Sequence, residues 1–531
     1  MSKRALTFAG LATLSLAATL AVPAAAKTLV YCSEGTPDSF DPMLTTSGIS
    51  FDVTHSIFNR LVEFKTGTTE IVPGLAEKWE TSEDGTVFTF HLRRNAKFQS
   101  NKDFTPTRAA NADDVIFTFE RQSVPGNPYY KVSGGTYIYW SAMNLPKLVK
   151  SIEKLDEYTV RFTLSAPNAP FLADLAMDFT SIHSKEYADA MLKAGKPETI
   201  DTAPIGTGPF ELVSYLKDST IRYRAFDGYW GARPPIDTLV FAITQDAAVR
   251  LAKMRANECQ IAPYPNPADL PTIRADKNLQ LLSQPGLNIA YLGINTSKKP
   301  YDNAKVRVAL SMAIDKEAII DAVYAGTGIP AKNLIPPTMW GYNDKIEDWK
   351  YDPEAAKKLL AEAGYPNGFQ TDLWIPQVQR PYNSNPGRIA EMMVADLGKV
   401  GITTKIISLE VGEFRRRTSV NGEHMLAMSG WTGDNGDPDN FLLTLAGCLA
   451  AKTNVTRWCN QEYDDIVTRA AAEIDQSKRA VLYQQAQEIM HREMPFYFIA
   501  HSIVYQPLRK EVTGYAMSPF GTHIFDAVDL K

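Results

Sequence analysis

Two hydrophobic patterns recur along the chain, and together they predict a mixed α/β protein. Apolar and polar residues alternate at 85–92 (GTVFTFHL), after an Asp-Gly turn, and again at 158–164 (YTVRFTL). This period of two is typical of strands with one buried face. Residues 237–243 (DTLVFAI) are more continuously apolar, as in a strand buried on both faces, and residues 28–32 (TLVYC) predict a first strand.

Helices are predicted where apolar residues recur at helical spacing between start and stop signals. In 351–368 (YDPEAAKKLLAEAGYPNG), Asp352 is a good N-cap, Pro353 occupies the first helical position and Gly364 closes the helix. Its apolar stripe is Ala356, Leu359, Leu360 and Ala363. Ser477 is predicted to cap a second helix, whose apolar face carries Leu482, Ala486, Ile489 and Met490.

The first 26 residues have the pattern of a cleavable secretory signal. Lys3 and Arg4 precede the uncharged run 5–22, and small residues at 24–26 predict cleavage between Ala26 and Lys27. The alternative is a membrane anchor, because the run is long enough to span a bilayer, although it is only weakly hydrophobic. No Cys follows the cleavage site, so a lipid anchor is not predicted. We therefore expect a soluble exported chain in the periplasm.

Length and charge narrow the class of protein further. A chain of 531 residues is too long for one ordinary core and predicts two or three lobes. The formal net charge of −5 argues against nucleic acid as a partner, because nucleic-acid binding requires a basic face. The densest basic cluster, 415–417 (RRR), is interpreted as a solvated surface. We expect a monomer.

The four cysteines predict two disulfides. They are Cys32, Cys259, Cys448 and Cys459, an even number in a chain expected to reach an oxidising compartment. Cys448 and Cys459 enclose a short segment rich in Ala, Thr and Asn and are expected to pair with each other. By elimination, Cys32 pairs with Cys259. Neither set has the spacing of a zinc site, so no metal is predicted.

The sequence contains no recognisable catalytic or cofactor motif. The nucleophile elbow G-x-S-x-G, the phosphate loop G-x-x-x-x-G-K-[ST], the dinucleotide motif G-x-G-x-x-G and the zinc motif H-E-x-x-H are all missing. A pair of carboxylates for glycoside hydrolysis stays open, because such pairs meet only in the fold. The interpretation is a protein that is not an enzyme and needs no cofactor.

Two segments depart from ordinary packing composition. Residues 429–441 (SGWTGDNGDPDNF) combine Gly, Asp and Asn with a Trp, but their spacing is not that of a calcium loop. Residues 377–386 (QVQRPYNSNP) contain two prolines, which stiffen the segment, and present Arg380 and Tyr382. Each segment is either a turn-rich surface loop or part of a ligand site, in which glycines allow close backbone approach and the charged side chains meet opposite charges.

Longer segments carry a resemblance to a known family. The segments 71–92 (IVPGLAEKWETSEDGTVFTFHL), 111–121 (NADDVIFTFER), 204–210 (PIGTGPF) and 224–231 (RAFDGYWG) resemble the ABC-transporter solute-binding proteins for peptides and nickel. Within that family, 27–35 (KTLVYCSEG), 257–269 (NECQIAPYPNPAD), 333–344 (NLIPPTMWGYND), 378–383 (VQRPYN) and 430–441 (GWTGDNGDPDNF) are similar to the dipeptide-binding members. The resemblance covers essentially the whole chain after the signal.

This resemblance implies a three-lobe periplasmic solute-binding (Venus-flytrap) fold of the α/β class, with mixed sheets and two hinge segments. Lobe I would be discontinuous, at 27–58, 207–285 and 505–531, with lobe II inserted at 59–206. Lobe III would be 286–504, joined to lobe I by hinges near 286–293 and 499–505. The ligand would lie between the lobes.

The resemblance also implies the ligand contacts. Arg380 would bind the carboxylate of a peptide, together with Pro381 and Tyr382. Asp434 would bind the free amino group, in a site lined by Trp431, Thr432 and Gly433. Thr46 would contribute from lobe I.

The predicted function is therefore capture of dipeptides for delivery to an inner-membrane ABC permease. An extended dipeptide places its termini about 7 Å apart, which two fixed charges can measure. The alternatives are a receptor of the same fold for glutathione, haem or 5-aminolevulinic acid; the last of these also carries an amine and a carboxylate. A hydrolase or a chaperone-like envelope protein is a third hypothesis.

Overall fold

A computed structural model describes residues 26–531 of the chain. Except for Ala26, the predicted secretory signal lies outside the described residues. In the part that is described, no helix has both the length and the apolar character needed to cross a membrane.

Strands and helices alternate throughout, so both predicted patterns are present. In chain order the strands are β1 (Thr28–Tyr31), β2 (Val62–Phe64), β3 (Ile71–Pro73), β4 (Ala76–Thr81), β5 (Val87–Leu92), β6 (Val149–Asp156), β7 (Thr159–Leu164), β8 (Phe210–Leu216), β9 (Thr220–Ala225), β10 (Thr238–Ala242), β11 (Leu279–Pro285), β12 (Asn288–Ile294), β13 (Gly328–Pro330), β14 (Gln370–Pro376), β15 (Thr403–Leu409), β16 (Leu426–Thr432), β17 (Phe496–Arg509), β18 (Val512–Thr513) and β19 (Asp529–Leu530).

The helices range from single turns to eighteen residues. They are α1 (Gly48–His55), α2 (Ala112–Ser123), α3 (Ile138–Ala142), α4 (Leu145–Leu148), α5 (Phe171–Asp174), α6 (Lys185–Lys193), α7 (Thr199–Thr202), α8 (Ala247–Arg255), α9 (Leu270–Ala275), α10 (Ala304–Ala313), α11 (Lys316–Ile319), α12 (Pro353–Glu362), α13 (Pro386–Lys399), α14 (Val411–Arg415), α15 (Asp439–Ala446), α16 (Gln461–Ala472) and α17 (Gln476–Glu493).

Three larger sheets organise these elements. The first has the order β1-β10-β9-β8, with β1 parallel to β10. The second, β4-β5-β7-β6, is antiparallel throughout. The third has the order β11-β17-β12-β16-β14-β15, and β13 adds to β17. Its strands β16, β14 and β15 are parallel neighbours. The predicted mixed α/β class is confirmed.

Strand β17 connects two parts of the molecule. Its C-terminal half, from Ile503, pairs with β11, and its N-terminal half pairs with β12. Leu508 is buried in the core of the first sheet, whereas Ile499 is buried in a core of the third. At the crossing, the N–H of Gly286 donates to the carbonyl of Ser502 at 3.0 Å, and the Asn288 side chain accepts from the Ser502 N–H at 2.9 Å. The connection between β11 and β12 therefore passes from one part to the other beside β17.

The local signals in the sequence agree with the structure, with one correction. All four predicted strands are present, as β1, β5, β7 and β10. Asp352 caps α12 by accepting from the N–H of Ala355, and Gly364 has a positive φ of 93° beyond its end. The cap of α17 is Asp475 rather than Ser477, because the Asp475 carboxylate accepts from the N–H groups of Ser477 and Lys478. The helix begins one residue before the predicted cap.

Both predicted disulfides are present. Cys32 is joined to Cys259 and Cys448 to Cys459. The first of these links the end of β1 to the segment after α8 within one small buried cluster. The predicted lobe boundaries and hinges remain predictions.

Candidate functional site

The two charged residues that the sequence singles out lie at one edge of the third sheet. Strands β14 and β16 are adjacent and parallel, with Leu373 opposite Leu426. Arg380 follows the C-terminal end of β14, and Asp434 follows the C-terminal end of β16. Because the carboxyl ends of parallel strands share one edge, the topology brings together two side chains that are far apart in sequence.

A cavity of about 670 Å³ opens at this edge. Seven of the eight predicted ligand-binding residues line it, namely Thr46, Arg380, Pro381, Tyr382, Trp431, Thr432 and Asp434. Gly433 is not part of the lining. Its N–H donates to the carbonyl of Leu287 at 2.7 Å, and a Cβ there would lie 2.6 Å from the ring of Phe441. Gly433 therefore allows the chain to pack closely behind the cavity wall.

The Arg380 guanidinium already has a charged partner. Its Nη1 donates to Oε1 of Glu34 at 2.8 Å, and the Glu34 residue is only 7% exposed. Burial alone would lower the pKa of Arg380, but Glu34, together with Tyr264 and Tyr382, outweighs this effect and the pKa lies above its ordinary value. The loop is held by reciprocal backbone hydrogen bonds between Arg380 and Asn383. A permanent positive charge is thus fixed at this corner of the cavity.

The Asp434 carboxylate has only neutral partners. The Tyr139 hydroxyl donates to Oδ2 of Asp434 at 2.9 Å, and the Asp434 N–H donates to the Asn440 side chain at 3.0 Å. Burial raises the pKa of Asp434 to about 7, although the hydrogen bonds from Tyr139 and Asn440 oppose the rise. Among the described residues no cation forms an ion pair with this carboxylate. A cation placed here would compensate a buried negative charge.

The aromatic lining is positioned by the same elements. The indole N–H of Trp431 donates to Oδ1 of Asn440 at 2.9 Å, so Asn440 orients both Trp431 and Asp434. The Tyr382 ring packs against Gly430, where a side chain would collide with it. Segment 429–441 is therefore not a surface loop: β16 takes its first residues and α15 its last ones.

A second charged group forms another part of the cavity wall. His55 Nδ1 lies 3.0 Å and Arg60 Nη1 lies 2.9 Å from Oδ1 of Asp178, and Arg60 also pairs with Glu63. Burial would raise the pKa of Asp178, but His55 and Arg60 outweigh it and the pKa is lowered. Asp178 therefore stays ionised and adds to the rise in the pKa of Asp434.

Several contacts at or beside the cavity join elements that are distant in sequence. Glu34 contacts Arg380 across a sequence separation of 346 residues. Tyr139 contacts Asp434 across a separation of 295 residues. The Asn435 side chain donates to Asp174 at 2.8 Å. Sequence reasoning did not identify Glu34, Tyr139 or Asp174, and no local pattern marks them, because their role depends on a partner hundreds of residues away.

The basic cluster 415–417 is not a uniformly solvated surface, which corrects the sequence interpretation. Arg415 and Arg416 line the cavity. The Nη1 of Arg415 donates to Oγ1 of Thr46 at 3.3 Å. Arg417 instead covers the Trp374 ring at 4.5 Å and pairs with Glu423. Successive residues leave a tight helical turn in different directions, so one run of charges faces several environments.

Comparisons with known proteins agree on the class of this site. Residues 70–453 match the sequence profile of the bacterial extracellular solute-binding proteins, family 5. The chain is 57% identical over 519 residues to the dipeptide-binding protein of Escherichia coli (strain K12), covering 97% of each chain. It is 50% identical over 518 residues to heme-binding protein A of Haemophilus influenzae, covering 97% of this chain and 94% of that protein.

A solved structure shows the same arrangement of the chain. The dipeptide-binding protein from Pseudoalteromonas sp. SM9913, in complex with Met-Leu, superposes with a TM-score of 0.91 at 37% sequence identity. The match covers 95% of this chain and 100% of that one.

Proposed function

The chain belongs to family 5 of the bacterial extracellular solute-binding proteins, and from this premise we propose that it captures dipeptides in the periplasm. It would then deliver them, as a monomer, to the permease of an inner-membrane ABC importer. The observation that supports the ligand class is the pair of opposite charges, Arg380 and Asp434, at one edge of one sheet within one cavity.

Each anchor suits one end of a zwitterionic peptide. A guanidinium binds a carboxylate through parallel hydrogen bonds, which gives direction as well as charge. Glu34 contacts Nη1 of Arg380, which leaves other N–H groups of the guanidinium for a ligand. Asp434 accepts hydrogen bonds from an ammonium and would gain the cation that its surroundings lack. Tyr382 and Trp431 would flank the bound peptide, and Thr46 would approach it from the opposite wall.

The anchors also define a length rule. Both anchors follow strands of the same sheet, which would hold them at one separation, and an extended dipeptide spans about 7 Å between its termini. A longer peptide would carry its carboxylate past Arg380. The cavity volume of about 670 Å³ lies within the range of small-ligand sites, roughly 300–1,000 Å³, and leaves room for varied side chains and water.

Capture would proceed by closure of a hinge, and release by its opening. We place the hinge where β17 and the 285–288 connection cross between sheets, at Gly286 and Ser502. In an open form the anchors are hydrated; a bound peptide bridges them to the opposite wall and makes the closed form favourable. No bond of the ligand is made or broken in this scheme.

Among other ligands of the same fold, the charge pattern favours those with both an amine and a carboxylate. Glutathione and 5-aminolevulinic acid meet this requirement and could use the same anchors. Haem carries carboxylates but no amine, so Asp434 would remain without a cation. We therefore place haem below peptides.

The test uses a ligand with each end blocked in turn. Titration calorimetry should show binding of Gly-Leu, and at least about 30-fold weaker binding of N-acetyl-Gly-Leu and of Gly-Leu amide, because each blocked peptide lacks the charge that one anchor binds. Gly-Leu-Gly tests the length rule. Equal affinity for free and blocked peptides would contradict the anchor assignment, and cleavage seen by mass spectrometry would contradict a binding role.

A further inference from the structure

We propose that Arg415 is a second carboxylate-binding group of this cavity and that it favours dipeptides with an acidic side chain. This inference rests on the proposed function and deepens it, by assigning a side-chain preference that the two terminal anchors do not provide.

The topology places Arg415 with the anchors. Strands β15, β14 and β16 are parallel neighbours, so their C-terminal ends share one edge of the sheet. Helix α14 begins directly after β15, and Arg415 is its last residue. Each of these three strands is therefore followed by a charged side chain that lines the same cavity, namely Arg415, Arg380 and Asp434.

Unlike Arg380, the other partly buried arginine of the lining, Arg415 has no carboxylate partner in the described part of the chain. Arg380 is paired with Glu34. Within residues 26–531, the hydrogen bond of Arg415 is to the neutral hydroxyl of Thr46, at 3.3 Å, and it forms no ion pair. A partly buried guanidinium with spare N–H donors is suited to an anion brought by the ligand.

The nearby carboxylates are engaged elsewhere. Glu410 caps α14, accepting from the N–H of Gly412 at 2.8 Å, and Glu413 pairs with Arg417 at 3.5 Å. Neither one neutralises Arg415. The positive charge of Arg415 opposes the rise that burial causes in the pKa of two tyrosines. These are Tyr139, which donates to Asp434, and Tyr382, beside Arg380. Arg415 therefore lies near a neighbour of each terminal anchor.

The charges of cavity and ligand can then be matched. A dipeptide with a neutral side chain brings one ammonium and one carboxylate, which Asp434 and Arg380 satisfy. A dipeptide containing Glu or Asp brings a second carboxylate, and Arg415 is the group that would receive it. A neutral side chain leaves Arg415 on Thr46 and water.

The test compares peptides that differ only in charge. Calorimetry with Ala-Glu against Ala-Gln, and with Glu-Ala against Gln-Ala, should show about tenfold tighter binding of the acidic peptide in at least one pair. Arg415→Gln should bring the ratio of the affinities for the acidic and the neutral peptide to about one, whatever its effect on the two affinities themselves. Arg415→Lys keeps the charge and should retain part of the preference.

Arg388→Gln is the matched control, since Arg388 is an exposed arginine of α13 paired with Glu391. It should leave the preference intact. Equal binding of acidic and neutral peptides by the unmodified protein, or a preference that survives Arg415→Gln, would overturn the inference while leaving the proposed function standing. If no dipeptide bound at all, the proposed function would fail first.

Discussion

The two ends of the cavity hold opposite charges in different ways. Arg380 is a cation that already contacts a buried carboxylate, Glu34, from a distant part of the chain. The Asp434 carboxylate accepts a hydrogen bond from the Tyr139 hydroxyl, and the Asp434 backbone N–H donates to the Asn440 side chain. Burial raises the pKa of Asp434 to about 7. Among the described residues, the charge of Arg380 is therefore compensated and that of Asp434 is not.

This difference assigns distinct roles to the anchors. At the Arg380 end, a peptide carboxylate joins a guanidinium that is already fixed by Glu34, so the site is preorganised. At the Asp434 end, an ammonium supplies a charge that the protein lacks. Removing either anchor should weaken binding, but only the removal of Arg380 should also leave a protein carboxylate stranded.

The largest effect is expected from Arg380→Gln. The substitution strands both the peptide carboxylate and Glu34, so the loss of affinity for Gly-Leu should lie high in the range known for buried charge pairs, about 1,000-fold. The melting temperature of the empty protein should also fall, and adding Glu34→Gln should restore it. An unchanged melting temperature would show that the Glu34 contact does not stabilise the empty protein.

Asp434→Asn should weaken Gly-Leu binding by about 100-fold, because the ammonium loses the carboxylate that is proposed to bind it. Here the empty protein should melt at the same or a higher temperature, since the substitution removes a carboxylate whose ionisation burial disfavours. Calorimetry and thermal unfolding measure the two quantities on the same sample. A lowered melting temperature would mean that the two anchors do not differ in the way described.

Tyr139→Phe removes one hydrogen bond to Asp434 and keeps the ring. A hydrogen bond to a charged group contributes roughly 1.5–3 kcal/mol, so about tenfold weaker binding is expected, mainly through faster release. Stopped-flow displacement of a labelled dipeptide gives the release rate. Tyr215→Phe, at an exposed tyrosine of β8, is the control and should leave that rate unchanged. An unchanged release rate with tenfold slower association would contradict the expectation that this hydrogen bond holds the peptide once it is bound.

The smallest expected effect is a pH dependence of the closing equilibrium in the protein without ligand. Burial raises the pKa of Asp434 to about 7 in this structure, whereas a hydrated aspartate has a pKa of about 4. A form with Asp434 buried therefore binds more protons between these values, and acidification should favour the proposed closure. Asp434 alone should shift the closing equilibrium about threefold between pH 7.5 and 6.5. Small-angle scattering of the empty protein measures this. Asp174, whose pKa burial also raises to about 7, adds to the shift, so Asp434→Asn should reduce it without abolishing it.

Much of the fold followed from local patterns. The alternating runs at β5 and β7, the Asp352 cap and the glycine after α12 act through neighbours a few residues away, so their outcome could be predicted from the sequence. Ser477 shows the limit of such reasoning, since two possible caps stood close together and Asp475 made the hydrogen bonds. Arg380 and Asp434 could be nominated because each lies in a distinctive segment.

By itself, the sequence determined the class of the protein, the element pattern, the disulfide partners and two candidate anchors. Only the tertiary structure decided which groups face those anchors. Glu34 and Tyr139 reach them through long-range packing, and the run 415–417 divides between cavity and surface. The reason is physical: local hydrogen bonds and periodicity are written in consecutive residues, whereas the electrostatics of a site depends on groups that folding brings together and shields from water.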